Sequence, residues 1–153
     1  MSKFVGLIIA ISFVFSALLS ISCSNTETIK EKVSSQLLAQ VELRKEQIAE
    51  PTADRLQLMN NMGMKVDNLK IQRIFIHLAQ ELNVSQIEEL ESMSIVVYGD
   101  SWIPPVGAHP TGFILADMPI DKLKALTQKD YVVRLDTAER QLKPQAGSQP
   151  QSE

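Results

Sequence analysis

The chain has 153 residues, 15 of them basic and 18 acidic, with two histidines and a single cysteine. That length suits one domain, and the lone cysteine excludes an intramolecular disulfide. The acidic balance and the lack of a basic stripe argue against a nucleic-acid surface.

Residues 1–22 read as an export signal. Lys3 gives a short positive start, Phe4 to Ile21 carries no charge, and Ser20 and Ser22 place small residues at the end of the run. These are the marks of a secretory signal peptide. If retained, the same run could span a bilayer, since about 20 apolar residues suffice. Under either reading residues 23–153, with a net charge of −4, are expected outside the inner membrane. Leu18-Leu-Ser-Ile-Ser-Cys23 resembles the bacterial lipoprotein signal. The resemblance implies that Cys23 is the first mature residue and carries lipid. Ser20 stands where that signal usually has leucine, so cleavage by ordinary signal peptidase is the open alternative. The expected location is therefore a membrane-anchored lipoprotein or a periplasmic or extracellular protein.

Residues 26–62 are expected to be helical. In the long helix 26–50, Ile29, Val33, Leu37, Val41 and Ile48 form an apolar stripe, while Gln40, Arg44 and Gln47 are assigned mainly to other faces. Pro51 ends it or bends it, because proline lacks the amide hydrogen and clashes with the preceding turn. A shorter helix follows to about Met62, with Leu56 and Met59 inward and Gly63 as its stop. From residue 70 the period changes. Ile71 to Leu78 reads as a strand, rich in β-branched and aromatic residues. Ser85 and Glu88 fit a capping box for a helix that buries Ile87 and Leu90. Ile95–Tyr98 and Gly112–Ala116 read as strands around a loop with three prolines. Pro119 suits the first turn of a last helix, and Tyr131–Asp136 is the final strand. Residues 144–153 lack large apolar side chains and are expected to be disordered.

This β-α-β-β-α-β order over 70–136 predicts an α+β fold: a ferredoxin-like antiparallel sheet with two helices on one face, preceded by one long and one short helix. Ile74, Ile76, Val133 and Leu135 are assigned to the core. Phe75, His77, Val132, Arg134 and Asp136 alternate to the other face, which then needs a cover. The stiff loop from Asp100 to Pro110 carries Trp102 and Ile103. They serve either as an interface or as a cover for the end of the sheet.

Little points to catalysis. Asp100, Ser101 and His109 could be assembled into a triad, but no nucleophile elbow surrounds Ser101. No metal-binding cysteine pair, no helical His-x-x-x-His and no phosphate loop is present, so no metal or cofactor is expected.

Arg73-Ile-Phe-Ile-His, Ser85-Gln-Ile-Glu-Glu-Leu-Glu, His109-Pro-Thr-Gly-Phe-Ile-Leu-Ala-Asp-Met-Pro and Tyr131-Val-Val-Arg-Leu-Asp-Thr-Ala-Glu-Arg together resemble the propeptide-type inhibitor domain of subtilisin-like serine proteases. The resemblance covers roughly residues 70–143. It implies a non-enzymatic inhibitor or folding chaperone. The open sheet face, with Phe75, His77, Val132 and Arg134, would dock on protease helices. Thr137 to Lys143, including Glu139 and Arg140, would enter the active-site cleft. No protease domain follows in this sequence, so such action would be in trans. The alternative expectation is a structural envelope lipoprotein that self-associates through the helix at 26–50.

Overall fold

The computed structural model of the protein describes residue 29 and residues 31–140. The signal segment, Cys23 and the tail from residue 144 lie outside the described residues.

The first long helix, α1, is Ser35–Ala49. Ser34 caps it, its hydroxyl accepting from the Leu37 amide at 3.3 Å. The helix stops two residues before Pro51. It is not one continuous helix from residue 26. Residues 31 and 32 are helical, but Val33 then makes a parallel bridge to Leu135, and the Ser34 amide donates to the Leu135 carbonyl at 3.0 Å. This step lies along a strand edge and satisfies groups that would otherwise be left unpaired. The second helix, α2, is Ala53–Asn61, capped by Thr52. It ends as expected at Gly63, whose φ of 76° suits glycine. The Met64 amide donates to Met59 and the Gly63 amide to Asn60, which is a Schellman closure.

Four strands follow: β1, Ile71–Leu78; β2, Val96–Ile103; β3, Gly112–Pro119; and β4, Val132–Thr137. Helix α3, Val84–Ser92, joins β1 to β2, and a 3-10 turn with helix α4, Leu123–Thr127, joins β3 to β4. The sheet order is β2-β3-β1-β4, and every pairing is antiparallel. The fold is α+β, and its strand order is compatible with the ferredoxin-like plan. α3 is capped by Asn83 with Gln86, not by Ser85 with Glu88. Both pairs have the right spacing, but the chain enters the helix two residues earlier.

Two bulges alter the expected facing. β4 pairs Val132 with Leu78 and Arg134 with His77, so Val133 is the extra residue. Val132 therefore turns into the core, 1% exposed, and Val133 turns out at 45%. The expectation that placed Val133 inside and Val132 on the open face is reversed at this bulge. On β2, the register breaks between Tyr98 and Ile103, so β2 runs five residues past its expected end.

One apolar cluster joins the N-terminal helix to the sheet. Leu37 and Val41 pack with Ile74, Ile76, Leu90, Ile114, Leu126 and Leu135. Truncating such a side chain to alanine costs about 2–5 kcal/mol. Gln40, Arg44 and Gln47, expected mainly on solvent faces, are buried instead, while Ile48 is 42% exposed. α1 turns a mixed polar and apolar stripe inward. The reason is a polar end to the core, where Gln72 of β1 and Thr137 of β4 need partners.

Candidate functional site: the uncovered sheet face

β1 alternates strictly, burying Gln72, Ile74, Ile76 and Leu78. Helices α1, α3 and α4 all contribute to the cluster on that side. None of them covers the opposite face, formed by Arg73, Phe75 and His77 of β1 and Phe113, Leu115 and Asp117 of β3. The register sets Arg73 opposite Asp117, Phe75 opposite Leu115, and His77 opposite Phe113. The centre of the face is apolar. Phe75 and Phe113 meet edge-on, centroids 5.1 Å apart, and His77 tilts against Phe113 at 5.8 Å.

One end of the face is closed by charge. Arg73 donates to both oxygens of Asp117, at 2.7 and 2.8 Å, and the Tyr98 hydroxyl donates to Asp117 at 2.8 Å. The Arg73 guanidinium also lies over the Tyr98 ring, 5.3 Å from its centroid. Hydrogen bonding from Arg73 holds the Asp117 carboxyl below the usual range, although partial burial opposes it. The hydrogen bond to Asp117 pushes the Tyr98 hydroxyl up.

The other end opens into a groove of about 480 Å³ between His77, Phe113, Arg134 and the β2–β3 connection, where Ile103, Val106 and His109 stand. The connection is shaped by a turn: the His109 amide donates to the Val106 carbonyl at 3.1 Å, with Gly107 at φ 61°. Burial lowers the His77 pKa, and the nearby Arg134 charge lowers it further.

Gly112 is essential to how this connection sits. A β-carbon there would fall 2.3 Å from the Ile103 carbonyl and 2.5 Å from Trp102 Cη2. Trp102 therefore packs over Gly112 and against the core, which makes it a cover for the sheet end. Ile103 remains 46% exposed at the groove. Ser101 is also structural. Its hydroxyl donates to the Tyr98 carbonyl at 2.6 Å and accepts from the Leu115 amide at 2.8 Å, bridging the β2 bulge. Those bonds tie the Ser101 hydroxyl into the β2–β3 ladder.

Of the expected docking residues, the structure brings Phe75, His77, Arg134 and Ile103 to this face or its groove. Val132 is buried. The expected cleft-binding segment is also partly buried: Thr137 is 0% and Glu139 5% exposed. Glu139 accepts from Arg44 at 2.6 Å, from the Lys65 amide at 3.0 Å and from the Arg73 amide at 3.1 Å. An ion pair and two amides fix it inside the chain. Arg140 is exposed and pairs with Asp136 at 2.8 Å, and residues 141–143 lie outside the described residues. Sequence reasoning missed Phe113, Leu115, Tyr98 and Asp117. Continuing the alternation of β3 outward from Gly112 would have found the first two.

Among the described residues, no group of three or more His, Cys, Asp or Glu could hold a metal ion, and no helix is long and apolar enough to cross a membrane. No family model, curated protein or solved structure matches the chain.

Proposed function

We propose that the protein is an exported, non-enzymatic interaction module, anchored through a lipidated Cys23, whose uncovered sheet face docks on a partner protein. The partner in this reading is a subtilisin-like serine protease, inhibited or helped to fold in trans. The observation that carries the reading is the face itself: Phe75, Phe113 and Leu115 lie between a charged end and a groove, with every sheet-packing helix on the other side. A contiguous apolar surface rimmed by polar groups is the usual form of a docking site. The family resemblance supplies the class of partner.

The proposal keeps the docking face and changes the tail. Thr137 and Glu139 are tied into the fold, so any segment reaching a protease cleft starts after them. Self-association through the N-terminal helix is less well supported, because Leu37 and Val41 of that helix face the chain's own core.

The test is inhibition of a panel of purified subtilisin-like proteases by the full chain in lipid nanodiscs. Saturable inhibition of at least one is expected. Failure against the whole panel sinks the protease assignment. Mass spectrometry of the mature N-terminus tests the anchor: a diacylated Cys23 is expected, and an unmodified terminus elsewhere refutes it.

A further inference from the structure

We propose that the groove at the His77 end is a charge-selective subsite that takes an acidic side chain flanked by bulky apolar residues of the partner protein. The inference rests on the docking reading and adds the chemistry of what docks there. Its size, about 480 Å³, is within the range that holds several side chains or a small ligand. Its walls are apolar: Phe113, Ile103, Pro104 and Val106. Its polar groups are His77, His109, Arg134 and a threonine, with no carboxylate among them.

Residues 23–153 carry a net charge of −4, yet this concavity is lined only by neutral or cationic groups. A neighbouring carboxylate, Asp136, acts on both His77 and Arg134 from outside the lining, and most of its hydrogen bonds go to other groups. It accepts from the Ser34 hydroxyl at 2.8 Å, from the Thr137 amide at 2.9 Å and from Arg140 at 2.8 Å. Its approach to Arg134 is a loose 3.7 Å, and the Arg134 side chain stays 57% exposed. A guanidinium left in that state beside apolar walls is complementary to a carboxylate, which it can bind in bidentate fashion. His77, depressed by burial and by Arg134 and only partly offset by Asp136, lies within the same lining and would gain from a further negative charge. An aromatic or aliphatic neighbour of that carboxylate would rest on Phe113 and Ile103.

The experiment uses the full chain in lipid nanodiscs and three fluorescent hexapeptides. One alternates phenylalanine with glutamate, one has glutamine for glutamate, and one has alanine for phenylalanine. Fluorescence anisotropy is read for the wild type and for Arg134→Gln and Phe113→Leu. The glutamate peptide is expected to bind at least about tenfold more tightly than either other peptide, the factor that 1.4 kcal/mol represents. Arg134→Gln should erase the preference for glutamate over glutamine. Phe113→Leu, a milder change that keeps an apolar wall, should weaken all aromatic binding while keeping the charge preference. Equal binding of the glutamate and glutamine peptides, no binding by any peptide, or a preference that survives Arg134→Gln overturns the inference. Anionic vesicles that compete only when their lipid is charged would assign the cations to a membrane and overturn it as well. Protease inhibition that persists in Arg134→Gln, with no peptide selectivity, would remove this subsite and leave the docking reading standing.

Discussion

Arg44 of α1 and Glu139, two residues beyond β4, form a buried ion pair at 2.6 Å, with side chains 0% and 4% exposed. The pair sits in a complete network. Arg44 also donates to Gln72 at 2.8 Å and to the Asn68 carbonyl at 3.2 Å, and Gln40 donates to the Glu139 carbonyl at 2.9 Å. Among the described residues, no buried side-chain nitrogen or oxygen lacks a partner. Removing one member of such a pair leaves the other charge buried and costs about 3–5 kcal/mol. Arg44→Met and Glu139→Leu are each expected to lose that much in urea unfolding. The double variant should recover part of the loss, because no lone charge remains. Additive losses would contradict the coupling.

Gly112→Ala is expected to destabilise by about 1–3 kcal/mol, since its β-carbon overlaps backbone that cannot easily move. The emission of Trp102, the only tryptophan, should shift to the red as the indole is displaced. Gly107→Ala has open space around it and a strained φ of 61°, so it should cost only about 1 kcal/mol and leave the emission unchanged.

Stability should fall in two stages as the solution is acidified. His77 has a pKa below its ordinary 6.5, so its neutral form contributes stability above that value, lost as pH falls through the folded pKa. Asp117 is also depressed, through Arg73, against an ordinary value of 3.8. Its contribution is present above that value and disappears in more acid solution. Asp136 behaves alike: burial opposes ionisation, but Ser34 and Arg140 outweigh it. Urea midpoints measured from pH 8 to pH 3 should show both stages. His77→Gln should flatten the upper one, and Asp117→Asn should lower stability at neutral pH while flattening the lower one.

Much of the fold could be read from residue pattern. β1 has its expected bounds, and the element order from residue 71 onward is as expected. The errors have specific physical causes. A single bulged residue, Val133, exchanges the facing of Val132 and Val133, and no local pattern announces it. Gly99, Asp100 and Ser101 look like turn residues, yet the Ser101 hydroxyl completes the ladder where the backbone cannot. Charge alone places Arg44 on a solvent face, although it falls on the same stripe as Leu37, Val41 and Ile48. Its partner is 95 residues away in sequence. The uncovered sheet face is half legible: alternation on β1 turns Phe75 and His77 outward, whereas the outward residues of β3 lie past Gly112, in a strand that follows a loop with three prolines.

Phe75 and its neighbours are proposed as the docking surface for a subtilisin-like protease. The decisive comparison is of inhibition constants for wild type, Phe75→Glu and Leu58→Glu, with folding checked by thermal unfolding. Leu58 is 48% exposed on α2, outside the sheet face. A buried charge at the centre of an interface costs several kcal/mol, so Phe75→Glu should weaken inhibition by at least about a hundredfold, while Leu58→Glu stays within about twofold of wild type. Equal inhibition by Phe75→Glu and wild type, or none by wild type, would rule out this docking surface.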